Sequence, residues 1–273
     1  MIYIFTAVYC EAKPLIERFA LSPDGDYPFA GFVSEDGNIR LVITGVGKTY
    51  SAAAVSYAHA KFGITKDDFA VNIGTCAGGS NTGGAYIINK VTDEDSGRSY
   101  YPDMLYKTGL REHCVTTVSD VVSEEKAALD PDMLWEMEAS GFSDVARLLM
   151  PPDRVQLIKV VSDNGAEGIE AISEALLERV IRECIDDIST AVDLYLSIPA
   201  DGEEQAQEDG TEDLFCCSET MRQDLNKLLV YCRNSGRDVP GIISSMRGEG
   251  LIPAADRKSG KAALNEFKRR ILQ

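Results

Sequence analysis

Histidine is scarce in this chain of 273 residues: His59 and His113 are the only two. Metal centres and catalytic triads built on imidazole therefore have little to draw on. The seven cysteines (Cys10, Cys76, Cys114, Cys184, Cys216, Cys217 and Cys232) are odd in number and lack the C-x-x-C spacing of zinc and redox sites. They read as reduced thiols, as in a cytoplasmic protein, and neither a metal nor an organic cofactor is expected. No apolar run is long enough to span a bilayer, so no membrane partner is expected. The opening Met1-Ile2-Tyr3-Ile4-Phe5-Thr6-Ala7-Val8 lacks a basic leader and reads as a first strand. Positive charge is also short, with 27 Lys and Arg against 44 Asp and Glu. Residues 216–273 nevertheless carry 11 Lys and Arg against 6 Asp and Glu, which concentrates the acidity in the first 215 residues. An acidic body is a poor platform for nucleic acid, whose phosphates need clustered cations. The basic tail is expected to dock on that body.

What the chain does have is an ordinary globular composition, 44% hydrophobic and 26% charged. Residues 2–8 form a continuous apolar run, as expected of a strand covered on both faces. A short helix is expected over 11–19, strands over 29–33 and 39–46, and an alanine-rich helix over 48–62 that stops before Gly63. Further strands are expected over 69–73, 85–91, 114–122 and 155–161, with a helix over 139–150. A long amphipathic helix is expected over 169–196, with Ile172, Leu176, Val180, Ile185, Ile188 and Val192 at helical spacing. Residues 199–213 are too polar to bury anything, so residues 198–215 read as an acidic linker. Beyond it, Met221, Leu225, Leu228, Leu229 and Cys232 form one helical stripe and Leu264, Phe267 and Ile271 another. The expected organisation is a catalytic domain over 1–197, the linker, and a helical accessory region over 216–273.

Three segments carry chemistry. Asn72-Ile73-Gly74-Thr75-Cys76-Ala77-Gly78-Gly79 is a strand end whose small residues would let backbone approach a ligand. Trp135-Glu136-Met137-Glu138-Ala139 precedes a helical pattern. The run 155–161 ends in Ser162-Asp163. A strand-helix-strand unit between Glu138 and Asp163 would bring both carboxylates to one edge of a parallel sheet, where α/β proteins bind ligands. Cys76 could suggest a thiol nucleophile, but no histidine pattern supports one.

Taken together, these segments resemble the purine nucleoside phosphorylase and nucleosidase superfamily, above all the bacterial 5'-methylthioadenosine/S-adenosylhomocysteine nucleosidases. The resemblance covers about residues 1–197. It implies an α/β fold with a mixed, partly parallel central sheet flanked by helices, and a homodimer acting on a small-molecule nucleoside. It also assigns roles. Asp163 is implied as the general acid at the purine N7, a task that requires a raised pKa. Glu138 would grip the ribose hydroxyls and Met137 pack on the sugar, with Glu136 and Ser162 also in the binding site. Thr75, Cys76, Ala77 and Gly78 would line the pocket, Thr75 near the nucleophile. Glu11 stands where nucleosidases keep their water-activating glutamate, and no arginine occurs in residues 1–17 to bind phosphate in its place. Gly45-Val46-Gly47-Lys48 matches a nucleosidase pattern as well. Hydrolysis is therefore expected ahead of phosphorolysis, with a non-catalytic nucleoside-binding or regulatory protein as the alternative of another class. One region departs from the pattern. Ser119-Asp120-Val121-Val122 lacks the glycine and the base-stacking phenylalanine of the family, leaving Tyr100, Tyr101 and Tyr106 as candidate stacking residues.

Overall fold

Alternation along the first strand sets the architecture. Ile2 and Ile4 enter one apolar cluster while Tyr3 and Phe5 enter another on the opposite face, and all four are buried. A strand covered on both sides needs two helical layers, and the chain supplies them. The computed structural model describes residues 1–25, 28–78, 83–130, 132–163, 173–199 and 211–271, the last without 219–220 and several positions between 223 and 236. The chain divides into two units, Met1–Pro199 and Ala200–Gln273.

In chain order the first unit runs β1 (Ile2–Thr6), α1 (Tyr9–Arg18), β2 (Ser22–Pro23), β3 (Gly31–Val33), β4 (Ile39–Ile43) and α2 (Lys48–Phe62). It continues with β5 (Phe69–Gly78), β6 (Ala85–Asp93), β7 (Ser99–Tyr100), β8 (Arg111–Thr117), α3 (Glu124–Leu129), β9 (Leu134–Glu136) and α4 (Ala139–Leu149). β10 (Val155–Asp163), α5 (Glu174–Glu183) and α6 (Ile185–Ser197) complete it. The strands form one mixed sheet, as the resemblance implied. β5 lies parallel to β1 on one side and to β10 on the other. β10 pairs antiparallel with β6, β6 parallel with β8, and β8 parallel with β9. β9 then returns antiparallel to the end of β5, so five strands close a ring. From β1 the sheet continues outward through β4, β3 and β2.

α2 and α4 cover one face, where Phe5 meets Phe142 with ring centroids 5.6 Å apart. α1, α5 and α6 cover the other, where Phe69 stacks on Tyr195 at 4.9 Å. The single helix expected over 169–196 is two helices broken at Cys184, and its expected first residues lie outside the described ones. Cys184 leaves helical geometry at φ −100° and ψ 7°, and its N–H is shared between the carbonyls of Val180 and Ile181. The break lets Ile181 on one helix and Ile188 on the next both reach the same core.

The strand directions correct a second expectation. β9 and β10 are not parallel partners of one crossover unit, since β9 opposes β5 and β10 follows it. Their ends meet because both flank the end of β5, where Ala77 pairs with Trp135 on one side and Asp163 on the other. Gly78 is confined by the same convergence: a Cβ there would lie 2.8 Å from Leu134 Cδ2 and 3.1 Å from Val161. The strand expected over 114–122 ends as β8 at Thr117, and residues 118–122 leave the sheet.

In the second unit α7 (Thr211–Leu214), α8 (Val239–Gly248) and α9 (Arg257–Ile271) surround a separate core of Phe215, Leu225, Cys232, Met246, Phe267 and Ile271. Thr211–Leu214 and Phe215 fall inside the stretch expected as linker, whereas residues 200–210 lie outside the described ones.

One close approach holds the two helices beside the site. At Gly141 in α4 an added Cβ would fall 2.0 Å from the carbonyl oxygen of Lys48, at the start of α2. Gly141→Ala is therefore expected to destabilise the protein by about 1–3 kcal/mol through overpacking. Gly248→Ala, with nothing within 4 Å of the new carbon, should instead stabilise α8 slightly. Urea denaturation of both variants checks the contrast.

Candidate active site

The ends of β5, β9 and β10, the N-terminus of α1 and the loop before α2 enclose a cavity of about 250 Å³. Nine of the expected residues line it: Glu11, Thr75, Cys76, Ala77, Glu136, Met137, Glu138, Ser162 and Asp163. Gly78 does not, being packed between β9 and β10.

Glu11 is buried at the start of α1 and anchored at both carboxylate oxygens. Oε2 accepts the backbone N–H groups of Ala7 (3.1 Å) and Val8 (3.4 Å). Oε1 accepts the Thr75 backbone N–H and the Thr75 hydroxyl, each at 2.7 Å. A carboxylate offers about four acceptor positions, so the protein's own donors fill this one. The Thr75 hydroxyl spends its only proton there, which leaves its lone pairs free to accept.

Glu136 organises the opposite wall. One oxygen accepts from the Thr117 hydroxyl at 2.6 Å. The other accepts from the N–H groups of Glu138 (2.9 Å) and Ala139 (2.7 Å) and from Lys159 Nζ (2.9 Å). Thr117 Oγ1 in turn accepts the N–H of Ser140 at 2.9 Å. Three backbone donors at the start of α4 are thus satisfied by side chains of β8 and β9. Lys159 is the residue that sequence reasoning missed. It sits 1% exposed in the middle of β10. Its signal was a lone lysine inside an apolar strand, where burial demands a partner. Burial works to strip its proton, but Glu136, Glu138 and Glu11 more than offset that and hold the ammonium charged.

Glu138 projects from the N-terminal boundary of α4, with Oε1 accepting the Gly47 N–H at 2.7 Å. Burial, and then the neighbouring charges of Glu136 and Glu11, push its carboxyl up from the usual 4.5 to about 7; Lys159 and the Gly47 N–H oppose the rise. The Gly45-Val46-Gly47-Lys48 segment therefore acts partly through backbone. The Lys48 side chain turns away, to Asp93 (3.0 Å) and Asp95. Burial would raise the Asp93 carboxyl, but the Ser96 hydroxyl and N–H, Lys48 and Ser140 hold it well below the usual carboxylate range.

On the third wall Asp163 is half-buried and accepts the Ser162 hydroxyl at 2.7 Å. Burial pushes the Cys76 thiol far above its ordinary range, which leaves it inert as a nucleophile near neutral pH. The tyrosines considered for base stacking do not line the cavity. Tyr100 donates to Asp144 and Tyr106 to Asp153, and Tyr101 is exposed. Val118, Val121, Val122 and Trp135 supply the apolar wall instead, because β8 ends early and its continuation folds against Trp135. Among the described residues no group of three or more His, Cys, Asp or Glu is placed to hold a metal ion.

No family model matches the sequence, and no curated protein does. Solved structures do match. The 5'-methylthioadenosine/S-adenosylhomocysteine nucleosidase of Neisseria meningitidis, in complex with methylthio-immucillin-A, is similar with a TM-score of 0.60 and 17% identity, over 70% of this chain and 97% of that one. A Helicobacter pylori nucleosidase mutant with 5'-methylthioadenosine in its active site gives 0.59 and 15%, over 70% and 97%. Futalosine hydrolase of Helicobacter pylori gives the same values. The chain has the nucleoside phosphorylase and nucleosidase fold. Within that fold, the similar structures named above are nucleosidases and a futalosine hydrolase.

The environment of Glu138 has a thermodynamic consequence. A carboxyl whose pKa is higher folded than unfolded binds its proton more tightly in the folded state. Its contribution to stability is then complete below about 4.5 and lost as the pH rises to about 7. Glu138→Gln keeps an acceptor for Gly47 and removes this titration. The variant should gain stability over the parent between pH 5 and pH 8 by up to about 3 kcal/mol. Urea titrations at the two pH values measure the difference; an equal difference at both would contradict it.

Proposed function

We propose that the protein hydrolyses the N-glycosidic bond of a purine nucleoside or 5'-thionucleoside of the methylthioadenosine or adenosylhomocysteine type. The observation that carries this reading is the lining of the cavity. Glu11, Glu136, Glu138 and Asp163 face it, and among the described residues no Lys, Arg or His side chain does. A phosphate dianion would meet carboxylates where it needs cationic donors. Water meets no such penalty. The names of the similar structures support the same class of substrate and reaction.

In this reading Asp163 protonates the leaving purine at N7, with the Ser162 hydroxyl fixing the orientation of its carboxyl. Ionised Glu138 accepts from the vicinal ribose hydroxyls, and those bonds tighten as the sugar gains positive charge. Met137 packs on the sugar, and the apolar wall of Val118, Val122 and Trp135 receives the base. A water at Thr75 displaces the threonine hydroxyl from Glu11 Oε1 and delivers its proton there as it attacks the anomeric carbon. No cofactor takes part. A cytoplasmic homodimer is the setting this reading expects.

The test is release of free base from a panel of nucleosides and 5'-thionucleosides. Asp163→Asn keeps the shape but cannot deliver a proton, and should lose about 10²–10⁴ in turnover. Glu11→Gln should abolish most hydrolysis while a non-reacting nucleoside analogue still binds. Near-normal turnover in either variant removes that residue from the mechanism, and binding without turnover in the parent protein would make it a nucleoside-binding protein.

A further inference from the structure

Among the buried ionisable groups of the site, Lys159 has no task in the chemistry above. It carries a full charge with 1% of its surface exposed, on a strand otherwise suited to apolar residues. An apolar side chain would be the cheaper occupant of that position, because desolvating an ammonium costs several kcal/mol even when it is paired. Its surroundings suggest what it does. Glu138 is faced by Glu136 from β9, Glu11 from α1, Lys159 from β10 and the Gly47 N–H from the loop before α2. Asp163 stands at the end of β10 in the same cavity. Among the described residues, Lys159 is thus the cation set against this concentration of carboxylates, and it contacts Glu136 rather than lining the cavity.

Building on the nucleosidase reading, we propose that Lys159 is a positioning residue for ribose capture. Through Glu136 it fixes the first turn of α4, and through its charge it keeps Glu138 ionisable at neutral pH. The two effects separate by sign. An opposite charge a few ångströms away favours the ionised carboxylate by about 1–3 pH units, and a like charge opposes it. Lys159→Met therefore moves the titration of Glu138 upward, whereas Glu136→Gln moves it downward. A purely structural ion pair would weaken binding in both variants without opposite displacements in pH.

The experiment uses the full chain and a C-nucleoside analogue of adenosine, whose base is joined to the sugar by a carbon–carbon bond and cannot be hydrolysed. Its affinity is measured from pH 5.5 to 9, beside the 2',3'-dideoxy form that offers Glu138 no hydroxyls. In the parent protein, affinity for the hydroxylated analogue should fall as Glu138 becomes protonated, and affinity for the dideoxy form should not follow that transition. Lys159→Met should raise the midpoint by about one unit or more, a loss of roughly tenfold in affinity below it. Glu136→Gln should lower the midpoint, and Lys159→Arg, which keeps the charge, should leave it near that of the parent. Should Lys159→Met fail to fold, Glu136→Gln decides by its sign. Midpoints that stay in place, or that move in the same direction in the two variants, overturn the proposal. Absence of any nucleoside binding in the parent protein would instead overturn the nucleosidase reading on which it rests.

Discussion

The buried ion pair between Lys159 and Glu136 is the interaction on which the geometry of the site depends. It joins β10 to β9, two strands that are not direct partners, 2.9 Å apart and away from solvent. Removing one member would leave an uncompensated buried charge, a loss of about 3–5 kcal/mol in comparable cases. Glu136 spends its remaining acceptor capacity on Thr117 and on the first amides of α4. The strand ends, the helix start and Glu138 are thereby referred to one carboxylate. Around it the cavity gathers four acidic side chains, an arrangement that disfavours an anionic nucleophile; burial first, and then the charges of Glu136 and Glu11, raise the proton affinity of Glu138.

Backbone contacts complete the frame. The approach of Gly141 to Lys48 brings the start of α2 against the start of α4, and the Gly47 N–H reaches Glu138 as a result. Glu11 is fixed in the same way from the other side by two amides of the turn after β1 and by Thr75 on β5. Two glutamates far apart in sequence are thus held by main-chain donors rather than by cations. Such donors add no net positive charge, so the cavity keeps its acidity.

Much of this was legible in the sequence because it follows from short-range patterns. Alternation in residues 2–5 marks a strand between two layers, and Glu136-Met137-Glu138-Ala139 marks a helix start whose carboxylates line the cavity. The rest depends on long-range geometry. Segment lengths do not encode strand direction, so β9 and β10 looked like parallel strands of one crossover unit when they flank β5 in opposite directions. Helical spacing continues through Cys184 although the backbone bends there to follow the sheet. Gly78 resembled a ligand-facing glycine but is confined by Leu134 and Val161. The apolar wall around Trp135 was hidden because residues 118–122 look like a strand, and their departure from the sheet is decided by where β8 stops pairing.

Whether water is the nucleophile is the central claim, and isotope labelling addresses it directly. The protein is incubated with a purine nucleoside or 5'-thionucleoside that it turns over, in buffer containing ¹⁸O-enriched water and inorganic phosphate. Mass spectrometry of the sugar product formed early in the reaction, compared with free sugar standing in the same water, corrects for exchange at the anomeric centre. A cavity lined, among the described residues, by carboxylates and by no cation predicts one solvent-derived oxygen in a free sugar, at a rate that does not change with phosphate. A sugar 1-phosphate formed only when phosphate is present, with its anomeric oxygen drawn from phosphate, would contradict the account.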